Sequence, residues 1–157
     1  MLKPSAVHMV KKALMRMGRQ DSLYDALYRR VAASFGMSVC EMWIFYFMLA
    51  AKGGVTQQDV ASMMMFPKQT VNSAVAHLVK DGMVLLKALP NARNSKKIAF
   101  TRKGRNMACK TVNHLLQSEI RATQKLGGEK TIRYIALRDE YYQILKSEFE
   151  SDFLQDE

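Results

Sequence analysis

A chain of 157 residues with 48% hydrophobic side chains is about one domain, long enough to bury roughly two-thirds of its unfolded surface. Its 24 Lys+Arg against 14 Asp+Glu leave a net charge of +10, which fits a phosphate-bearing partner or a solvated basic surface. The longest apolar run, Met42 to Ala51, is shorter than the about 18 to 20 residues that span a bilayer, and Cys40 and Cys109 are too few and too distant for a disulfide framework or a zinc cluster.

The excess charge is concentrated in the middle of the chain, where residues 56–110 carry ten Lys+Arg and two Asp+Glu. The N-terminal segment gathers no continuous apolar stretch before a small-residue cleavage site, so no secretory signal is read, and a reducing cytoplasm is expected. His8, His77, His114 and Cys109 show no ligand spacing for a metal, and no cofactor motif is found. Without a Gly-rich phosphate loop or a carboxylate pair set among apolar residues, no catalytic constellation can be assembled and the protein is not read as an enzyme.

Val7, Val10, Leu14 and Met17 mark one helical stripe, interrupted at Gly18, and Leu23, Leu27, Val31 and Phe35 mark a second that stops at Gly36. These spacings predict two helices or one broken helix. Ser38 with Glu41 three residues later forms a capping box that opens a very apolar, hence buried, helix running to a stop at Lys52-Gly53-Gly54. Thr56 with Asp59 repeats the start signal for a short helix whose inward face is Val60, Ala61 and Met64, ended by Pro67. Pro67 then suits the first turn of the next helix.

That helix has inner positions Val71, Val75, Leu78 and Val79 and an outer face of nearly uncharged hydrogen-bonding groups. Gln69, Thr70, Asn72 and Ser73 are the short neutral side chains that read base edges in a major groove about 12 Å wide. Lys68 and His77 are placed for phosphate or base contact, and the small Ala76 lets the helix lie close. Pairing of Asn or Gln with adenine points to an A/T-rich site.

After Gly82 the pattern becomes extended. Residues 83–88 and 96–101 read as strands flanking the loop LPNARNS, a hairpin with a basic tip at Arg93. Thr101 caps a helix carrying Met107, Leu115, Leu116 and Ile120 as far as Gly127-Gly128, and a last helix places Ile132, Ile135, Leu145 and Phe149 on one side. Arg102, Lys103 and Arg105 lie where a helix dipole disfavours cations, so either phosphates take them or the TRKGR run anchors the wing.

The run TQQDVASMMMFPKQTVNSAVAHLVKDGMV, followed by a hairpin with NAR at its tip and then FTRKGR, resembles the DNA-binding core of the MarR family of bacterial transcription regulators. The flanking helices match that family's plan, so the resemblance covers nearly the whole chain. It implies a mainly α fold with a small β-hairpin wing. Residues 38–101 would be the winged helix-turn-helix lobe, and 1–36 and 102–152 the dimerisation helices of a single domain, 1–157. It also implies a homodimer on an inverted-repeat operator in double-stranded DNA, usually as a repressor.

By the same resemblance Pro67, Lys68, Gln69, Thr70, Asn72, Ser73 and His77 belong to the recognition helix. Asn91, Arg93, Lys96 and Lys97 form a wing entering the minor groove, and Arg102 and Lys103 are candidate phosphate contacts. Two departures stand out: Met65 occupies a turn position where the family often has glycine, and Asn91 stands where many members have an aspartate bracing the wing arginine. Regulators of this type often bind a small-molecule effector between the dimer helices and the DNA-binding lobe. Trp43, Tyr46, Phe47 and Met64 are candidates to line such a pocket, against the plainer reading of core packing. Cys40, near a helix N-terminus that stabilises a thiolate, is a candidate oxidant sensor against the plainer reading of a structural cysteine. The rival to a DNA reader is a non-specific DNA-binding or partner-binding protein that keeps the fold.

Overall fold

The computed structural model describes residues 4–51, 54–88 and 96–154, with only the backbone described for Pro4 and Ser5. Lys52 and Gly53 of the expected helix stop, and Asn91 and Arg93 of the wing tip, lie outside the described residues. The elements are α1 (Pro4–Ser34), α2 (Val39–Ala50), β1 (Val55–Thr56), α3 (Gln57–Met64), α4 (Lys68–Lys80), β2 (Val84–Ala88), β3 (Lys96–Phe100), α5 (Arg102–Lys110), α6 (Val112–Leu126) and α7 (Gly128–Phe153). The fold is mainly α with a small antiparallel sheet, in the winged helix-turn-helix order. Among the described residues no single helix is long and apolar enough to cross a membrane.

The chain separates after Leu115 into two compact units. The first is built on α2. Met42, Ile44 and Phe45 are fully buried, each such side chain contributing about 1.5–3 kcal/mol on burial, and α1, α3, α4, α5 and β3 all pack against this helix. Both expected capping boxes form. The Glu41 carboxylate accepts from the Ser38 backbone N–H at 2.7 Å, and the Asp59 carboxylate accepts from that of Thr56 at 2.8 Å. The Ser38 hydroxyl accepts from the Glu41 N–H at 3.2 Å and that of Thr56 from the Asp59 N–H at 3.1 Å, so two otherwise orphaned donors are met at each helix start.

Between α3 and α4 the chain turns at Met65, which sits in the left-handed region at φ 52. The backbone N–H groups of Met65 and Phe66 both bond the Ala61 carbonyl, which closes α3. The sheet has the order β1-β3-β2, with Val55 opposite Ile98 on one edge of β3 and Leu86 opposite Ile98 on the other.

Four features depart from the sequence reading. The N-terminal stripes lie on one unbroken helix that passes straight through Gly18. The two-residue strand β1 adds a third member to the expected hairpin. Val79, expected inward, is 42% exposed, because the core contact of α4 is met by Val71, Val75 and Leu78. The helix expected to run on from Thr101 breaks at Thr111, whose backbone leaves helical geometry (φ −123, ψ −83) while its hydroxyl donates to the Met107 carbonyl at 2.7 Å.

In the second unit α7 is a 26-residue helix with no buried residue, and Ile132, Ile135 and Phe149 are 71%, 52% and 49% exposed.

The TRKGR run is an anchor. The Thr101 hydroxyl accepts from the Gly104 N–H at 3.0 Å, capping α5, and donates to the Gly82 carbonyl at 2.7 Å, while the Lys103 ammonium donates to the Asp81 carbonyl at 2.7 Å. Gly104 lies so close to the Met83 backbone that an added Cβ would stand 1.8 Å from the Met83 carbonyl oxygen. Since the obstacle is backbone, Gly104→Ala is expected to lower unfolding stability by about 1–3 kcal/mol, the usual range for overpacking, read as a fall in the urea midpoint at unchanged slope.

Candidate nucleic-acid interface

Helix α4 buries Val71, Val75 and Leu78 against α2 and α3 and leaves Lys68, Gln69, Thr70, Asn72, Ser73, Ala76 and His77 exposed. Its outer face is thus short, neutral and hydrogen-bonding over the first two turns. Pro67 precedes the helix and makes no side-chain cap; its carbonyl accepts from the Thr70 N–H at 2.9 Å. Asn72 is held from the side: Gln57, the first residue of α3, donates its Nε2 to the Asn72 Oδ1 at 2.9 Å.

His77, exposed further along the same helix, is also tied to carboxylates of the protein. Its Nδ1 bonds the Glu41 Oε1 at 2.5 Å, and its Nε2 lies 3.6 Å from the Asp81 Oδ2 one turn on. Both ring nitrogens face carboxylates of the protein, so His77 clamps α4 to the start of α2. Burial pushes the Glu41 carboxyl up, but hydrogen bonds from His77 and Ser38 outweigh this and hold it below its ordinary value. The bond to Glu41, together with the charges of Asp81 and Glu41, raises His77 above its ordinary value.

The hairpin places its cations by register. Lys97 stands opposite Lys87 and Lys96 opposite Ala88, so with side chains alternating along a strand, Lys96 and Lys97 point to opposite faces of the sheet. Lys87 and Lys97 share one face with the partly exposed Leu85 and Ala99, directly opposite one another. Sequence reasoning missed Lys87. The only signal for it is the pairing register, which the loop between the strands conceals.

The cations that open α5 divide in the same way. Arg102 is exposed, whereas Lys103 is drawn to the Asp81 carbonyl and so secures the end of α4, and the Arg105 guanidinium lies 5.4 Å over the Phe100 ring. Of the two candidate phosphate contacts, only Arg102 keeps its charged end outward.

Cys40 reverses the expectation for a thiol near a helix start. It is buried, and this burial together with the neighbouring Glu41 charge pushes its pKa up to about 11. A thiol so raised is protonated at neutral pH, which is the opposite of a reactive thiolate.

The expected ligand pocket is split. A cavity of about 520 Å³ is lined by Tyr24, Tyr28, Arg29, Trp43, Met64 and Phe66 among others, joining α1 to α2 and the end of α3. Trp43 and Met64 are therefore brought together. Tyr46 and Phe47 instead pack on the Trp43 ring, at centroid distances of 5.1 and 6.0 Å, and line no part of that cavity. Tyr24 and Tyr28, one turn apart beside the Leu23 and Leu27 stripe, were legible only as helix surface. A second cavity, of about 610 Å³, lies between the start of α2 and α4 and is lined by Val39, Cys40, Phe66, Gln69, Thr70 and Ser73 among others.

Two buried-backed helices joined by a tight turn, with a hairpin beside the exposed face of the second, make this a winged helix-turn-helix protein. The sequence model of the MarR family matches residues 35–93, which run from the end of α1 to the wing loop. Over this lobe the chain matches the MarR family.

Solved structures share the fold over most of its length. A MarR family regulator from Neisseria meningitidis superposes with a TM-score of 0.76 at 18% identity, covering 89% of this chain and 98% of that one. A MarR/EmrR family transcriptional regulator from Acinetobacter sp. ADP1 gives 0.69 at 12% identity over 86% and 97%. CouR from Rhodococcus jostii RHA1, bound to p-coumaroyl-CoA, gives 0.63 at 19% identity over 82% and 87%. At these identities the likeness is one of fold. No curated protein matches the chain closely enough to count as a relative.

The clamp has a pH window. The His77 contribution is present below its ordinary value of about 6.5 and is lost as pH rises through the higher folded value. The Glu41 contribution is present above its ordinary value of about 4.5 and is lost as pH falls through the lower folded value. The ion pair is therefore fullest between these limits. An NMR titration is expected to place the His77 midpoint above the ordinary value and to bring it down in Glu41→Gln; a midpoint that Glu41→Gln leaves unmoved would remove the clamp.

Proposed function

We propose that the protein is a homodimeric, sequence-specific DNA-binding transcription regulator that occupies an inverted-repeat operator, acting as a repressor, in the cytoplasm. The observation that carries this reading is the exposed, uncharged face of Gln69, Thr70, Asn72 and Ser73 on a helix whose other side is locked into the core. A solvated face usually carries Glu and Lys; short neutral donors and acceptors suit base edges, with long cations set beside them for phosphates. Lys68, Lys87, Lys96, Lys97 and Arg102 are assigned to the phosphates and Arg93 to the minor groove; His77 and Lys103 are assigned to holding the lobe together.

Residues 38–101 would form the DNA-binding lobe, and 1–36 and 102–152 the helices that build the dimer. Support comes from the apolar residues these helices leave in water: Val10, Leu14, Leu23 and Leu27 on α1 are 45–59% exposed, as are Ile135 and Phe149 on α7 at 52% and 49%. A two-fold dimer sets its recognition helices about one turn of DNA apart, which is why the operator is taken to be an inverted repeat. The cavity against Trp43 is proposed to take a small-molecule effector that releases the DNA.

Selection from random duplexes is expected to enrich one inverted repeat bound about a thousandfold or more above random DNA. Gln69→Ala and Arg93→Ala should each weaken that binding, with the Arg93 variant also lowering the salt dependence. Affinity that varies with salt but selects no sequence would sink the reading and leave a non-specific coat or a partner-binding protein. Sedimentation should show a dimer that Leu14→Asp or Ile135→Asp shifts towards monomer, with loss of the inverted-repeat preference; a monomeric wild type would remove the two-fold operator.

A further inference from the structure

Asn72 lies within the outward face of α4, and its side-chain carbonyl already has a partner. Gln57 donates Nε2 to Asn72 Oδ1 at 2.9 Å across the helix-turn-helix. The backbone that carries the donor is fixed. Gln57 follows directly on β1, whose Val55 and Thr56 pair with Ile98 and Lys97 of β3. It is also the first residue of a helix closed by the reciprocal Thr56–Asp59 cap.

An asparagine amide presents a carbonyl at one side and an NH₂ at the other, and half a turn about its last torsion exchanges them. A neighbour that donates to the carbonyl chooses between the two. With Oδ1 turned to α3, the Nδ2 donors are the part of Asn72 left for the groove. An unconstrained asparagine pairs with adenine by accepting from N6 while donating to N7. One whose carbonyl is held elsewhere matches an edge of acceptors: O6 and N7 of guanine, or O4 of thymine.

We propose that Gln57 is a positioning residue for Asn72, holding its amide so that the N–H donors face the major groove and thereby setting the contacted base pair as one that presents an acceptor there. The inference rests on the assignment of α4 as the recognition helix. It changes the base expected from an asparagine at this position and adds a specificity determinant that need not itself touch a base.

The test is binding of wild type, Asn72→Ala, Gln57→Ala and Gln57→Glu to the selected operator and to duplexes carrying each of the four base pairs at every position. Both side chains lie at the surface, and an unchanged thermal midpoint in each variant establishes that binding alone is being read. Asn72→Ala is expected to flatten preference at one position per half-site, where wild type favours an acceptor. Gln57→Ala should reduce preference at that same position by roughly twofold to tenfold, the range of one hydrogen bond, and have no added effect on top of Asn72→Ala. A glutamate can only accept, so Gln57→Glu should draw the Asn72 N–H inward, turn the carbonyl out and shift the preference towards adenine N6 or cytosine N4.

A Gln57→Ala variant that keeps the wild-type preference, or one that weakens every duplex equally and adds to Asn72→Ala, overturns the inference while leaving the α4 assignment standing. So does an Asn72→Ala variant that alters no position of an enriched operator. Failure of wild type to enrich any sequence removes the α4 assignment itself, and the inference with it.

Discussion

Glu41 is a buried carboxylate on which two parts of the fold converge. A charge at this depth is unfavourable unless its oxygens are satisfied, and both of them are: Oε2 by the Ser38 backbone N–H and Oε1 by His77. The first bond starts α2, the helix around which the first unit is packed. The second reaches across 36 positions of sequence to α4. One side chain therefore fixes where the central helix begins and how the outer helix lies against it, and removing it would fray the cap and leave His77 only its contact with Asp81, within α4's own end.

The same economy recurs around α4. Its apolar side is held by Val71, Val75 and Leu78, its last turn by the Lys103 ammonium on the Asp81 carbonyl, and its exposed amide by Gln57. These partners come from α5 and α3, and Glu41 comes from α2, so three neighbouring elements orient one helix without covering its outer face. The turn that leads into it is less comfortable. Met65 adopts a left-handed backbone that costs a non-glycine residue about 1–2 kcal/mol, and its side chain is 86% exposed. The two N–H bonds to Ala61 hold the turn; nothing in the structure explains a methionine there in place of glycine.

Much of this was legible because it is local. The Ser38–Glu41 and Thr56–Asp59 boxes are spaced by helix geometry itself, and the buried face of α4 follows from period 3.6, so both appear in the string of letters. What escaped depends on partners far away in sequence. β1 is two residues long, too short to carry an alternation, and exists only because β3 offers it a free edge. Gly18 looked like a break because glycine weakens a helix by about 1 kcal/mol, yet α1 runs through it. Lys87 became visible with the strand register, and the amide pair of Gln57 and Asn72 with the crossing of two helices. Cys40 was misjudged for a related reason: the helix start that would stabilise a thiolate is buried there and also carries the Glu41 charge.

The placement of α2 gives these contacts a further consequence. Trp43, which lines the cavity against α1, stands two residues from Glu41, which holds His77 on α4. Helices in a close-packed interior shift as units, since side chains at packing density near that of a crystal leave little room to yield singly. A molecule seated against Trp43 would press on the same rod that grips α4, and the grip is a short, directional bond that a small displacement breaks. The lower half of α4 is held differently, through Gln57 on α3, and that amide bond does not run through α2. Movement of α2 would therefore strain the His77 end of α4 directly, and would reach the Gln57–Asn72 bond only through the packing of α2 on α3 and α4.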